Sequence, residues 1–372
     1  MFYIKELHLE GYRNYLSLYL EFGPGLNIIV GDNAQGKTNL LESIYLLSVN
    51  RSFRTYRDKE LINFDRDFFR VKGIFINNEI EDTVGVTLQC DEQLRVKFNS
   101  QKVKRYSQLQ EHPVIIFCPD DVGLINEGPM VRRKFLNLMI SRLSTAYFHL
   151  LKDYQKILKQ RNSILRKACS VQEAIKLLDP WNSSLVKCGS AIIAERLEVI
   201  DKLEKEANHY FSILTSSLET LSLKYHCKLT LGAIDLIEKS YLKSLENDLP
   251  LELRRGFTAT GPHVDDFSIS INQKEARKYA SQGQKRTAAL SLKLGEIALI
   301  KSSYQKAPIL LLDDVFSEFD HKRQQALLGY LVNNSNQCLI SSATNMNSDF
   351  CNLNKDLKSF IVQRGIVYEE HR

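Results

Sequence analysis

The sequence predicts a mixed α/β fold in which the two ends of the chain form one domain and a mainly helical domain is inserted between them. Three observations lead to this prediction. Short β-rich segments dominate the first hundred residues, apolar residues recur with the helical period over residues 131–218, and mixed strand and helix patterns resume after Gly256. The expected boundaries are 1–128 and 256–372 for the α/β domain and 129–255 for the helical arm, which suits a chain of 372 residues.

Composition narrows the class of protein. The chain is 44% hydrophobic and 25% charged, which is typical of a globular protein and not of a disordered one. Its seven cysteines are scattered without a C-x-x-C pair, so we expect neither a zinc site nor a disulfide framework. The N-terminus lacks the pattern of a secretory signal, and the apolar runs are far shorter than the ~20 residues of a membrane span. We therefore expect a cytoplasmic protein without membrane partners.

The N-terminal part of the α/β domain should consist of short strands with one helix among them. Residues 37–48 are the expected helix, because Leu40, Leu41 and Ile44 share one apolar face. Segments with alternating or continuous apolar residues, separated by turn residues, are the expected strands. They are residues 15–22, 26–30, 68–76, 83–90 and 114–118.

The inserted arm should contain a pair of long helices. Apolar residues from Phe135 to Leu165 recur with the helical period and indicate one long helix. The dipeptide Asp179-Pro180 interrupts this pattern, and a second helix is expected over residues 181–217. Two long helices joined by a short break suggest an antiparallel hairpin. After the arm, the patterns predict a helix that ends near Ile300 and buried strands at 309–312 and 337–341.

A glycine-rich segment between a predicted strand and a predicted helix matches G-x-x-x-x-G-K-[ST] at every defined position. Its residues are Gly31, Asp32, Asn33, Ala34, Gln35, Gly36, Lys37 and Thr38. The glycines let backbone N–H groups surround phosphates, and the helix N-terminus adds a favourable dipole. We expect Lys37 to bind the β- and γ-phosphates of a nucleotide and the Thr38 hydroxyl to coordinate Mg²⁺.

Two acidic residues follow the buried strand at 309–312. A phosphate loop needs a carboxylate at the end of a neighbouring strand to orient the hydrated Mg²⁺, and Asp313 stands at that position. Asp314 is placed where a general base polarises the attacking water. The prediction is therefore a metal shell of Thr38 and Asp313, with Asp314 and Lys37 as catalytic residues. The alternative for this segment alone is a solvated turn.

A third segment narrows the class further. Ser281, Gly283 and Gln284 form a Ser-x-Gly-Gln sequence that opens a long amphipathic helix about 30 residues before the acidic strand. This order resembles that of ABC-type ATPases, in which the serine, the glycine backbone and the helix dipole face the γ-phosphate of a nucleotide held by the other subunit. The resemblance implies an ABC-type P-loop ATPase domain that dimerises around two nucleotides. The alternative is an ordinary helix cap formed by Ser281.

Further motifs resemble the RecF family, the bacterial recombination and gap-repair ATPases related to the SMC proteins. The resemblance covers essentially the whole chain. One departure is Val264, which stands where the family commonly has arginine. The segments that carry the resemblance are residues 11–15 (GYRNY), 51–55 (RSFRT), 119–125 (PDDVGLI), 128–133 (GPMVRR), Gly261-Pro262-His263 with Asp265 and Asp266, and the Ser281 segment.

The resemblance implies an ATP-dependent DNA-binding protein that acts at single-strand gaps and at junctions of single- and double-stranded DNA. RecO and RecR are then the expected partners in loading the recombinase, and slow ATP hydrolysis times release from DNA. Arg13, Asn33 and Asn39 join the expected nucleotide contacts by their matching positions. Ser281, Gly283 and Gln284 are expected to reach the nucleotide of the opposite subunit.

The net charge of +6 is concentrated in the arm. Residues 130–255 hold 21 Lys and Arg against 14 Asp and Glu, so the rest of the chain has a net charge of −1. Sequence-independent DNA binding rests on Lys and Arg contacts with phosphates, which makes the first arm helix a candidate DNA surface. A solvated helix face or a surface for a protein partner is the alternative. The DNA-binding candidates, including a smaller patch after the first helix, are Arg51, Arg54, Arg57, Arg132, Arg133, Lys152, Lys156 and Lys159.

Two other classes of protein share some of these motifs. The ATPase subunit of an ABC-type transporter has all three nucleotide motifs, but it normally has a histidine after the last strand, where this chain has Ser342-Ala343-Thr344. A purely structural DNA clamp would bind ATP without hydrolysing it, and the presence of Lys37 and Asp314 argues against that. Residues 317–320 additionally resemble the D-loop that lines the dimer seam of ABC-type ATPases.

Overall fold

A computed structural model describes residues 1–90, 92–102, 111–168, 170–304, 306–316, 319–333, 337–343 and 357–370. The chain forms two compact units. Unit 1 consists of Met1–Val122, Ile213–Ser217 and Gln282–Arg372, and unit 2 consists of Gly123–Ser212 and Leu218–Ser281. Among the described residues, no helix is long and apolar enough to cross a membrane.

The elements follow in chain order. The strands are β1 (Phe2–Tyr12), β2 (Tyr15–Glu21), β3 (Leu26–Val30), β4 (Phe68–Asn77), β5 (Ile80–Gln89), β6 (Arg95–Phe98), β7 (Gln101–Lys102), β8 (Val114–Phe117), β9 (Leu221–His226), β10 (Asp266–Ile271), β11 (Lys274–Glu275), β12 (Ile309–Asp313), β13 (Cys338–Ser342), β14 (Lys358–Gln363) and β15 (Ile366–Glu369). The α-helices are α1 (Lys37–Val49), α2 (Gly123–Asn126), α3 (Pro129–Leu143), α4 (Thr145–Lys167), α5 (Val171–Leu214), α6 (Ile234–Arg255), α7 (Ala276–Tyr279), α8 (Gln282–Tyr304) and α9 (His321–Asn333). Short 3₁₀ helices occupy Asp58–Leu61 and Pro119–Val122.

Among the described residues, unit 1 contains two six-stranded sheets. One has the order β15-β14-β3-β13-β12-β8 and is parallel except for β15, and its central strands are buried apolar runs, as a sheet covered on both faces requires. The other is antiparallel with the order β2-β1-β4-β5-β6-β7. Buried Gln337 ties these sheets together, because its amide nitrogen donates to the carbonyls of Ile4 (2.8 Å) and Gly23 (2.7 Å). The predicted strands and the helix over 37–48 are confirmed to within a few residues.

Strand β1 is not among the strands that the sequence predicts. Its pairing with β4 shifts register between Ile4 and Glu6, which places a bulge near the start of the strand. A bulge inserts one residue and reverses the face on which the following side chains lie. The alternation that identifies a half-buried strand is therefore interrupted in the sequence.

The first arm helix is shorter than predicted, because Ser144 divides the expected helix into α3 and α4. The Ser144 backbone is extended, and its side chain accepts a hydrogen bond from the Tyr147 N–H at 3.0 Å. This is an N-cap, in which a hydroxyl satisfies a backbone donor that has no partner within the helix. Ser144 thus starts a new helix.

The predicted break at Pro180 is wrong, since α5 runs through it from Val171 to Leu214. A proline inside a helix costs about 3 kcal/mol, whereas each fully buried leucine contributes about 1.5–3 kcal/mol. Leu178 and Leu185 are both fully buried on either side of the proline. Burial of the apolar face therefore outweighs the local cost.

The two units divide the chain differently from the predicted domains. Residues 123–128 and 256–281 belong to unit 2, whereas the sequence patterns place them in the α/β domain. The reason is tertiary pairing: β10 pairs antiparallel with β9 from Asp266 opposite His226 to Ile271 opposite Leu221. The strand pattern after Gly256 thus completes a three-stranded sheet, β11-β10-β9, in the inserted unit.

The Gly261-Pro262-His263 motif has a structural role within unit 2. His263 lies between the Tyr154 hydroxyl, 2.7 Å from its Nδ1, and the Thr258 carbonyl, which accepts from its Nε2 at 3.0 Å. Burial lowers the pKa of His263, so the neutral ring is favoured. At Gly261, whose φ is 129°, a Cβ atom would lie 1.9 Å from the Tyr241 hydroxyl. Only glycine fits at this close approach.

Candidate nucleotide-binding site

The glycine-rich loop joins β3 to α1 at the carboxyl edge of the parallel sheet. Gly31 begins it directly after Val30, and a Cβ atom at Gly31 would lie 2.3 Å from the Val362 carbonyl oxygen. Gly36 is the N-cap of α1, and its φ of 121° is readily accessible only to glycine. Both glycines are therefore required by the backbone path, independently of any ligand.

Lys37, the first residue of α1, is 6% exposed and turns back onto the loop. Its ammonium group donates hydrogen bonds to the carbonyls of Gly31 (2.5 Å) and Asp32 (2.8 Å). Burial lowers the pKa of Lys37, and the carboxylates of Asp314, Asp313 and Asp32 oppose that shift. The loop thus holds a cation among backbone groups, as phosphate binding requires.

The predicted metal-binding residues lie together. The Thr38 hydroxyl donates to Asp313 Oδ1 at 3.0 Å, and the Ser341 hydroxyl donates to the same oxygen at 2.6 Å. Burial raises the pKa of Asp313, while these two hydrogen bonds oppose the shift. A carboxylate and a hydroxyl beside a phosphate-binding loop are the hard oxygen ligands that Mg²⁺ prefers.

Ser341 belongs to this cluster, although the sequence motifs do not indicate it. It lies on β13 directly opposite Asp313 of β12, and its hydroxyl also accepts from the backbone N–H of Asp314 at 3.0 Å. Asp314 has a left-handed φ of 50°, a conformation that aspartate tolerates better than most residues. The available signal is the predicted strand over 337–341, whose last residue must lie at the same sheet edge as Asp313.

Arg13 lies beside the loop and is hydrogen-bonded to protein groups. Its Nε and Nη2 donate to the two carboxylate oxygens of buried Glu42, each at 2.9 Å, and its Nη1 donates to the Glu60 carbonyl at 2.9 Å. Glu42 also accepts from the Ser52 hydroxyl. This bidentate pair joins the β1–β2 turn to α1. The nucleotide contact of Arg13 stays a prediction.

A chain of amide groups links the loop to Arg54. Asn14 donates to the Gln35 carbonyl at 2.9 Å and accepts from Asn39 at 2.8 Å, and Asn39 in turn accepts from Arg54 at 2.7 Å. The charge of Arg54 acts to lower the pKa of Asp313. Arg54 therefore lies beside the candidate nucleotide site, whereas the sequence predicts it only for a DNA-binding patch. Tyr15 also holds the loop in place, since its hydroxyl donates to the Gly36 carbonyl at 2.9 Å.

The Ser-x-Gly-Gln segment lies at the N-terminus of α8. Ser281 is exposed and directly precedes the helix, and the Gly283 carbonyl accepts from the Thr287 hydroxyl at 2.8 Å. An ion pair between Lys293 and Asp121, 3.0 Å apart, anchors the helix to the 3₁₀ helix after β8. Of the D-loop, Ser317 and Glu318 lie outside the described residues, as does Thr344.

The structure corrects the prediction that Arg132 contacts DNA. Arg132 is 6% exposed and makes a bidentate pair with Asp266, with both distances 2.8 Å. Arg133 is half-buried and donates to the Asp265 carbonyl at 2.9 Å. Arg161, which adds to the charge of the arm, is fully buried and paired with Glu252 at 2.6 Å. Part of the basic charge of the arm thus stabilises the fold.

The other predicted DNA-binding residues are exposed. Lys152, Lys156 and Lys159 lie on the solvent side of α4. Arg51, Arg54 and Arg57 are exposed around the short 3₁₀ helix that follows α1. Arg57 is 3.8 Å from Glu60, a distance at which an exposed ion pair contributes little. The DNA contact of these two sets stays a prediction.

A phosphate loop after β3, a carboxylate at the end of β12 in the same parallel sheet and a Ser-x-Gly-Gln helix start define a P-loop ATPase of the ABC and SMC type. The RecF/RecN/SMC N-terminal domain family matches residues 3–366. The chain belongs to this family.

Individual relatives agree with this assignment. The DNA replication and repair protein RecF of Halothermothrix orenii is 37% identical, and the match covers 98% of each chain. The solved structure of the recombination mediator protein RecF-ATP of the RecFOR pathway is similar with a TM-score of 0.89 and 36% identity over 99% of each chain. The Smc head domain of Pyrococcus furiosus shares the fold at a TM-score of 0.58 and 15% identity, over 100% of this chain and 96% of the other.

Proposed function

We propose that this chain is an ATP-dependent DNA-binding protein of recombinational repair and replication maintenance. It binds gapped DNA as an ATP-induced dimer, hydrolyses ATP slowly and helps to load the recombinase, with RecR and RecO as partners in the cytoplasm. The observation that carries the proposal is the cluster of Thr38, Asp313 and Ser341 beside buried Lys37, in a chain whose relatives are replication and repair proteins.

The loop would hold the nucleotide through its own backbone and side chains. Backbone N–H groups at the start of α1 and the Lys37 ammonium group bind the phosphates. Thr38 and Asp313 would hold Mg²⁺, which neutralises the developing charge of the phosphates when bound. Ser341 orients Asp313 through its 2.6 Å hydrogen bond.

Asp314 is our candidate for the general base. Its backbone N–H is tied to Ser341 at 3.0 Å, so its position relative to Asp313 is fixed. ABC-type ATPases usually have glutamate at this position, and aspartate is one methylene shorter. We therefore propose slow turnover, in which hydrolysis acts as a timer for DNA release.

The exposed start of α8 supports a dimer in which each chain completes the nucleotide site of the other. Ser281, the Gly283 backbone and Gln284 would meet the γ-phosphate bound to the partner. ATP would then stabilise the dimer more than ADP, because only ATP carries that phosphate.

Replacing Ser281 with arginine tests this arrangement. Ser281→Arg places a long side chain at the helix start, so we expect ATP-driven dimerisation to fall at least tenfold while ATP binding by the monomer changes less than threefold. Sedimentation velocity with ATP and with ADP measures the dimer, and nucleotide titration measures the monomer. Ser222→Arg, at an exposed serine of β9, is the matched control. Full dimerisation of the Ser281 variant with ATP would rule out this assignment.

DNA binding is proposed for the exposed lysines of α4. We expect Lys152→Glu, Lys156→Glu and Lys159→Glu together to weaken binding to gapped DNA at least tenfold, because they place three acids where phosphates bind. The slope of log affinity against log salt should become shallower by about 0.9 for each phosphate that the variant no longer neutralises. ATP affinity should stay unchanged.

The DNA affinities of the triple variant and of the unmodified protein are measured with gapped, tailed and duplex DNA, with ATP or ADP, over a range of salt concentrations. Lys97→Glu with Lys274→Glu, at exposed lysines on strands, is the control for added negative charge. Unchanged affinity and salt slope in the triple variant would shift the DNA surface to Arg51 and Arg57. Arg54 is omitted from that second set because it contacts Asn39 beside the phosphate loop.

The transporter alternative has no support, since the relatives of this chain are RecF proteins. The clamp alternative predicts ATP binding without turnover. Lys37, Thr38, Asp313 and Asp314 together favour hydrolysis.

A further inference from the structure

We propose that the turn between β14 and β15 is part of the nucleotide site and that Arg364 in this turn supplies a cation to the phosphates of the nucleotide. The inference rests on the proposed ATP binding of the same site. It adds one binding residue that lies more than 300 positions away from the loop in the sequence.

The sheet order places this turn beside the phosphate loop. β14 is the neighbour of β3 in the parallel sheet, with Lys358 opposite Asn27 and Ile361 opposite Val30. Parallel strands end at the same edge, and ligands of such sheets bind outside that edge. The residues that follow β14 therefore lie next to the residues that follow β3.

Hydrogen bonds join the turn directly to Gln35 of the loop. The Arg364 backbone N–H donates to the Gln35 side-chain oxygen at 2.6 Å, and the Gly365 N–H donates to the Gln35 carbonyl at 3.2 Å. Asn14 donates to that same carbonyl at 2.9 Å. Gln35 is thus held from two sides, by the β1–β2 turn and by the C-terminal hairpin.

The backbones approach too closely for additional side chains. A Cβ atom at Gly365, where φ is 76°, would lie 2.6 Å from the Asn14 carbonyl oxygen. A Cβ atom at Gly31 would likewise lie 2.3 Å from the Val362 carbonyl oxygen. The turn and the loop therefore form one packed layer, and a shift of the turn displaces the loop.

The charge of Arg364 suits a polyphosphate. Its side chain is exposed and forms no ion pair with the part of the chain that the structure describes. A guanidinium group binds phosphate with two parallel hydrogen bonds. The Arg364 backbone N–H lies 2.6 Å from the side-chain oxygen of Gln35 in the loop, which fixes the residue beside the loop. The Lys37 ammonium group, by contrast, donates hydrogen bonds to two loop carbonyls.

The test is ATP affinity measured by titration with a fluorescent ATP analogue in the presence of Mg²⁺. We expect Arg364→Ala to weaken binding about five- to tenfold, with a smaller effect at high salt, because an exposed charge is screened. Arg364→Lys keeps the charge but loses the planar pair of donors, so its ATP affinity should lie between those of Arg364→Ala and the unmodified protein. Gln363→Ala, at the exposed neighbour, is the matched control and should bind normally.

Gly365→Ala tests the packed layer independently and should also weaken ATP binding, with a folded protein verified by circular dichroism. Normal ATP affinity of Arg364→Ala overturns the proposed contact, as does an effect confined to DNA affinity at saturating ATP. Lys37→Met in the same titration separates the two proposals. If it abolishes ATP binding while Arg364→Ala does not weaken it, only the Arg364 contact fails; if the unmodified protein does not bind ATP, both fail.

Discussion

Replacing Lys37 with methionine should lower ATP affinity at least 100-fold. Methionine has a similar length but no charge, so the phosphates lose the cation at the centre of the loop. A hydrogen bond to a charged group contributes about 1.5–3 kcal/mol, and tenfold in affinity corresponds to about 1.4 kcal/mol. The removal of several such bonds at a site only 6% exposed accounts for the expected factor.

Isothermal titration with ATP and Mg²⁺ measures this effect. Lys97→Met, at an exposed lysine of β6, is the control and should bind ATP like the unmodified protein. Because the Lys37 ammonium group also donates to Gly31 and Asp32, the melting temperature should be measured as well. ATP affinity within threefold of normal would contradict the assignment of the loop as a nucleotide site.

Replacing Asp314 with asparagine should reduce ATP turnover at least 100-fold and leave ATP affinity nearly unchanged. A general base contributes about 10²–10⁴-fold to rate, and asparagine cannot accept the proton. The substitution is conservative in structure, because asparagine has a similar shape and also tolerates the φ of 50° found at this position. The backbone N–H that donates to Ser341 is retained.

Turnover is measured as phosphate release at saturating ATP, with and without gapped DNA. Asp201→Asn, at an exposed aspartate of α5, controls for the removal of one negative charge. We expect the Asp314 variant to remain a dimer on DNA longer than the unmodified protein, since release would depend on hydrolysis. Normal turnover in this variant would assign the base to another residue.

The nucleotide motifs could be located from the sequence because each is continuous. The loop needs glycine at Gly31, where the Val362 carbonyl is close, and at Gly36, where φ is 121°, and the motif places lysine where phosphate is expected. Asp313 follows an uninterrupted apolar run that only a buried parallel strand explains. Local chemistry and spacing are sufficient for such motifs.

Contacts between distant segments could not be located in that way. Ser341 joins Asp313 through a strand pairing, and the turn at Arg364 joins Gln35 through the order of strands in the sheet. The pairing of Arg132 with Asp266 is of the same kind, and it removes a basic residue from the predicted DNA surface. Positive charge in a sequence does not indicate whether the side chain is exposed or paired.

The helix boundaries in the arm also depend on contacts between distant segments and not on the local sequence alone. The sequence predicts a helix break at Pro180 and a continuous helix through Ser144. In the structure, Pro180 lies inside α5, and Ser144 separates α3 from α4 and caps α4. The free energy of burying Leu178 and Leu185 exceeds the local cost of the proline. Only the packing partners decide that balance.

The sequence by itself determined the class of protein, the glycine-rich loop, the acidic strand end and the presence of an inserted, basic helical segment. These depend on short continuous patterns whose physical requirements are local. The tertiary structure alone decided where the inserted unit ends, which basic residues are exposed and which distant groups surround the loop. These depend on pairing between segments that are distant in the sequence, such as β9 with β10 and Gln35 with Arg364, and on the burial that such pairing creates.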